Sequence, residues 1–139
     1  MTKEDKQLLL RDLCARLPYR VHMHTNSTDN IELLDIVRDI DYEDQYWING
    51  YYYVEDVRPY LRPMSSMTEE ECDMVEEILG DKCIFDFMSN GDIVLKQGQF
   101  SQNKLAKLYD YYTSIHIDYR GLIPKGLALK APEGMYKIN

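Results

Sequence analysis

The chain has 139 residues, the size of one ordinary domain, with 45% hydrophobic and 29% charged residues and a formal net charge of −8. That balance fits a globular protein and argues against a disordered one. No apolar run approaches the ~20 residues that a bilayer-spanning helix needs, and the charged start "MTKEDKQLLLRDL" lacks the apolar core of a signal peptide.

Thr2 can cap a first helix over residues 3–16, with Leu9, Leu10, Leu13, Cys14 and Leu17 at helical spacing. Pro18 stops it. "YRVHMHT" alternates, Tyr19, Val21 and Met23 against Arg20, His22 and His24, as a half-buried strand does. After the turn cluster "NSTDN", the run "IELLDIVRDI" reads as one further strand. "DYED" is a turn, and "QYWI" and "YYYV" flank Asn49-Gly50, a strong hairpin signal. Residues 19–54 therefore read as a meander of about four short strands. Pro59 and Pro63 suggest a helical turn over 55–61 and an extended 62–66. Thr68 and Glu71 form a capping box for a helix running to Leu79, with Cys72, Val75, Ile78 and Leu79 on its apolar face and Gly80 ending it. "CIFDFM" and "DIVL" flank Asn90-Gly91, giving a second hairpin near 83–95. Ser101 caps a last helix carrying Leu105, Leu108, Tyr109, Tyr112 and Ile115 or His116.

The expected fold is α+β: an N-terminal helix, a small antiparallel β-meander, then packed helices. The strand lengths are compatible with an SH3-like barrel by analogy. One domain spans 1–139, β-rich over 19–66 and mainly helical over 67–139.

Charge is unevenly spread. Residues 29–86 hold seventeen acidic and four basic side chains, a net −13, between ends of +2 and +3. Such a block repels phosphate and disfavours direct nucleic-acid binding, but attracts a basic partner. Cys14, Cys72 and Cys83 are odd in number with no CxxC pair, which argues for free thiols and a reducing compartment. The expected location is the cytoplasm.

Three stretches, "MTKEDKQLLLRDLCARLPY", "VEDVRPYLRPMSSMTEEE" and "IHIDYRGLIPKGLALKAPEGMY", together cover 59 of the 139 residues. In this order they resemble a family of small uncharacterised proteins recurrent in gut Bacteroides genomes and their phages. The resemblance implies a cytoplasmic bacterial or phage protein and supplies no catalytic residue.

No motif supports catalysis. "GLIPKGLALK" has the glycine gap of a phosphate loop, but Leu127 follows Gly126 where a lysine is required. Gly121, Gly126 and Gly134 instead suit tight turns in a tail tied to the core by Leu122, Ile123, Leu127 and Leu129, with "LALK" adding a short strand. His22 and His24 share a strand face but lack the further ligands of a closed metal site. His116 with Cys83 or Cys14 lacks any cysteine-protease signature. Ser65 and Ser66 lack a GxSxG elbow. Neither a metal nor a cofactor is expected.

The aromatic cluster is the strongest functional feature. Tyr42, Tyr46, Trp47, Tyr51, Tyr52 and Tyr53 fall within twelve residues, beside Asp41, Glu43 and Asp44. Tyr51 and Tyr53 take one strand face and Tyr52 the other. Tyr42, Tyr46, Trp47 and Tyr52 are the expected contact surface for a basic or proline-rich segment of another protein. The expected function is a non-enzymatic accessory protein-binding domain. The alternative is a nucleic-acid-associated accessory that recruits a basic DNA-binding partner or mimics DNA.

Overall fold

Residues 1–40, 45–80, 85–87, 93–95 and 102–136 are described by a computed structural model. The fold is α+β. Helix α1 spans Lys3–Arg16, and Thr2 Oγ1 accepts the Asp5 N–H at 3.0 Å. Leu9 and Leu13 are buried, while Cys14 is exposed. Two charged residues, Asp12 and Arg16, complete the buried face instead.

Strands β1 (His22–Thr25) and β2 (Asn30–Leu33) form a hairpin. Strands β3 (Val37–Ile40), β4 (Gln45–Ile48) and β5 (Tyr52–Tyr53) form a second antiparallel sheet. "IELLDIVRDI" is thus two strands in two sheets. The break follows from Asn49, whose Oδ1 accepts the N–H groups of Asp35 and Ile36 at 2.8 and 3.2 Å. Its Nδ2 donates to Leu33 O at 2.8 Å. Asn49 and Gly50 both take positive φ, 54° and 79°, as a primed turn requires, and Tyr51 N–H closes onto Ile48 O at 3.2 Å. Because the chain changes sheet at Leu34–Ile36, the described strands lie in open sheets and do not close an SH3-like barrel.

Strand β6 (Val57–Leu61) replaces the expected helical turn, which is confined to residues 54–56. It lies inside the sheet order β2-β1-β6-β9, where β9 is Leu129–Lys130 and runs parallel to β6. Pro59 fits because of register. Asn26 N–H bonds Asp56 O at 2.8 Å, so alternation gives the next bonded position on β6 to Arg58. The missing Pro59 N–H would point to the other side, ahead of the parallel pairing that begins at Tyr60.

Helix α2 (Glu69–Leu79) carries both bonds of its capping box and ends at Gly80, φ 81°. Strands β7 (Phe85–Phe87) and β8 (Ile93–Leu95) pair antiparallel, as a hairpin near 83–95 requires. The turn Asn90-Gly91, Cys83, the cap Ser101 and the "DYED" turn lie outside the described residues. Helix α3 (Gln102–Ser114) packs on α2. It ends in a Schellman arrangement: Ile117 N–H bonds Tyr112 O at 2.9 Å and His116 N–H bonds Thr113 O at 3.2 Å. His116 occupies the left-handed position, φ 65°, that glycine usually fills.

Among the described residues two apolar cores result. Leu9, Leu13, Val21, Met23, Ile48, Val57 and Leu61 form one, completed by Leu122, Leu127 and Ala128 from the tail. Met64, Val75, Leu79, Leu108, Tyr112 and Ile117 form the other. The tail is held at several points. Gly121 and Gly126 take φ of 73° and 75°, and the Asp118 carboxylate accepts the N–H groups of Leu122 and Ile123 at 2.8 and 2.9 Å.

Candidate protein-binding face

Strand β2 is the edge of its sheet. Leu34 N–H bonds Val21 O at 2.9 Å, so alternation directs the backbone of Glu32 and Asn30 toward β1. The N–H and C=O of Ile31 and Leu33 therefore turn to the open side, where Asn49 already takes Leu33 O. The side chains add apolar surface: Ile31 is 55% exposed, Ile36 49% and Tyr51 80%. Leu33, Ile36 and Tyr51 line an open groove of about 670 Å³ with Leu17, Arg20 and Asn49. Its acidic members are Glu32 and Asp35. Asp29, at the start of β2, holds the His24 ring at 2.7 Å with 93% of its own side chain exposed.

The second sheet sorts the aromatic cluster by face. Val37, Ile48 and Tyr52 stand in one cross-strand row directed at the core. Arg38, Trp47 and Tyr53 stand in the opposite row, with the Trp47 and Tyr53 rings stacked at 4.8 Å. Of the predicted surface, Tyr46 packs against the core and Tyr52 is buried, its hydroxyl donating to the Glu32 carboxylate. Trp47 alone of the described three presents its ring on the outer row; Tyr42 lies outside the described residues. The outward rings that reading passed over are Tyr51 and Tyr53. Alternation separates them from Tyr52, and their exposure follows from the face Tyr52 buries.

Three buried polar arrangements were not anticipated. Arg16 Nε donates to Asp12 Oδ2 at 2.7 Å and its Nη2 to Ile117 O at 2.7 Å, with both charged side chains fully buried. Arg120 closes on the other Asp12 oxygen at 3.3 Å. The signal was present: positions 9, 12, 13 and 16 share one helix face. Arg62 grips Glu71 through two bonds, 2.7 and 2.8 Å. Burial alone would raise the Glu71 pKa, but bonds from Arg62 and Thr68 hold it below the usual value. Finally, the His116 ring stacks on Tyr136 at 3.8 Å. Burial, then the nearby Arg16, His22 and Arg62, push His116 down to about 4, so it is neutral at pH 7.

The histidines of β1 part company. His24 turns to Asp29 and Asn26, whereas His22 meets Tyr136 edge-on at 5.4 Å. Among the described residues no group of three or more His, Cys, Asp or Glu is placed to hold a metal ion. Cys14 and Cys72 are free thiols; partial desolvation by neighbouring side chains shifts both upward, although Cys14 keeps an exposed face, and the α2 carboxylates add to the shift of Cys72. Among the described residues no helix is long and apolar enough to cross a membrane. These features define an α+β domain with an apolar, acid-rimmed open sheet edge. No family model, curated protein or solved structure matches the chain.

Proposed function

We propose that this domain is a non-enzymatic accessory protein that binds an extended, lysine- or arginine-bearing segment of another protein along β2. The observation that carries the reading is the open edge formed by the Ile31 backbone and the Leu33 N–H, beside exposed Ile36 and Tyr51 over the groove. Main-chain bonds to such an edge supply affinity, and alternate side chains supply selectivity. Asp29, Glu32 and Asp35 favour a cationic occupant, as does the net −13 of residues 29–86. The partner could itself be a basic DNA-binding protein; contact with nucleic acid is then indirect. The reading takes the protein to be cytoplasmic, with its thiols reduced.

The test uses two blocked octapeptides, one alternating lysine and valine, the other glutamate and valine, titrated into isotope-labelled protein. The lysine peptide should shift the Ile31 and Leu33 amides, bind more weakly as salt rises, and lose at least tenfold in affinity to Ile31→Lys. Equal binding of both peptides, or shifts confined to other surfaces, would overturn the reading.

A further inference from the structure

The tail beyond β9 is held in an unusual way. Ala131 N–H bonds Leu61 O at 2.8 Å, but Pro132, Glu133 and Gly134 are exposed, and Met135 N–H bonds Pro132 O within the tail's own turn. The next anchor is the side chain of Tyr136. Its ring lies parallel to the His116 ring at 3.8 Å, with the His22 ring edge-on at 5.4 Å. Its hydroxyl accepts the His22 N–H at 2.8 Å and donates to Tyr60 O at 2.8 Å. Burial pushes its pKa up to about 12, so the hydroxyl keeps its proton and both bonds.

The slot is thus defined without reference to the tail. Two imidazoles fix a flat ring, and two backbone groups on neighbouring strands fix one hydroxyl as both acceptor and donor. A benzene ring alone would leave the His22 N–H and Tyr60 O unpaired. The slot also adjoins open space. Tyr136 and His116 form part of the wall of a cleft of about 340 Å³ between α2 and α3, which Glu70, Met74 and Tyr111 also line. Withdrawal of Tyr136 would join slot and cleft.

We infer that the slot filled by Tyr136 is a binding site for a p-hydroxyphenyl group, and that the 132–136 strap is its built-in competitor. The incoming group is a tyrosine side chain or a small phenol, which present the same ring and hydroxyl. It displaces a strap whose anchor past Ala131, among the described residues, is the Tyr136 side chain, and its arrival frees residues 132–136. This inference does not depend on the edge of β2.

The experiment follows the His22 amide signal in the full chain during titration with p-cresol, toluene and the blocked peptide Gly-Tyr-Gly. In Tyr136→Gly, p-cresol should shift the signal saturably and toluene should bind at least tenfold more weakly. Wild-type protein should bind p-cresol at least tenfold more weakly than the variant, because the strap competes. Tighter binding of the peptide than of p-cresol would identify a partner's tyrosine as the occupant; the reverse order would identify a free phenol. Folded Tyr136→Gly protein with no saturable shift, or equal affinities in wild type and variant, would overturn the proposal. Should Tyr136→Gly fail to fold, Tyr136→Phe carries the test. It keeps the ring and loses the hydroxyl, so p-cresol should displace it more readily than it displaces tyrosine. Unchanged affinity there would also overturn the proposal.

Discussion

The Arg62 guanidinium and the Glu71 carboxylate meet in a two-bond fork, which joins the end of β6 to the first turn of α2. Arg62 also donates to Ile115 O and Ser66 O, both at 3.1 Å, so one side chain ties β6 to both helices. Removing one partner strands a buried charge. Glu71→Ala should cost about 3–5 kcal/mol, measured by urea unfolding. The double variant Arg62→Met, Glu71→Met should recover part of that loss, because it leaves no unpaired charge. A double variant no more stable than Glu71→Ala would show that the carbonyl contacts, rather than the charge pair, carry the effect.

The tail's leucines are core residues. Leu122 is fully buried and Leu127 nearly so, in the same cluster as Leu9 and Leu13. Leu122→Ala should cost about 2–5 kcal/mol. Truncation after Ile117 removes both leucines and strand β9, against a total stability of ~5–15 kcal/mol. It should therefore abolish the cooperative melt. A truncated chain with an unchanged midpoint would refute this account.

Asn49 should matter through its side chain more than through its turn. Asn49→Gly keeps a residue suited to φ 54° but removes the three bonds to Leu33, Asp35 and Ile36. Hydrogen exchange at the Asp35 and Ile36 amides should accelerate at least tenfold, with a stability loss of about 1–3 kcal/mol. Unchanged exchange would mean that the sheets alone hold this crossing.

His116 should make the fold acid-sensitive. Its folded pKa of about 4 lies below the ordinary 6.5, so the unfolded chain takes up a proton first. Its stabilisation is complete above pH 6.5 and is lost as pH falls toward 4. With solvent screening allowed for, the loss is about 1–2 kcal/mol. Other groups contribute over the acid range. Glu71, held low, loses stability on acidification, whereas Asp118, raised chiefly by burial, is relieved by it. His116→Asn isolates the imidazole, since asparagine tolerates the left-handed backbone and does not titrate. The wild-type loss between pH 6.5 and 4 should exceed that of the variant; parallel stability curves would refute it.

Local signals in the sequence were reliable where the causes were local. Helix α1, the Thr68 capping box, the Gly80 stop and the Asn49-Gly50 turn each depend on groups within four residues. What was illegible depends on distant partners. The break at Leu34–Ile36 is imposed by a side chain 13 and 14 residues away. Pro59 sits in a strand because of the side its missing N–H would face, which only register decides. The burial of Arg16 needs the carbonyl of Ile117, 101 residues on. For the binding face, alternation separated Tyr51 and Tyr53 from Tyr52, but not which face met the core. Alternation alone leaves the face of Tyr46 and Tyr52 open, and both pack inward.

The place of Leu122 and Leu127 in the same core as Leu9 and Leu13 also has a consequence for synthesis. In a chain emerging from the ribosome the α1 segment is made first, but the surface around Leu9 and Leu13 stays incomplete until Leu122 and Leu127 follow. At about 5–20 residues per second, that interval is roughly 5–20 s. Throughout it the buried face of α1 shows two leucines and an Asp12–Arg16 pair, rather than an unbroken greasy stripe. The same charges that give the finished core its long-range contact to Ile117 thus keep the nascent helix less adhesive while it waits.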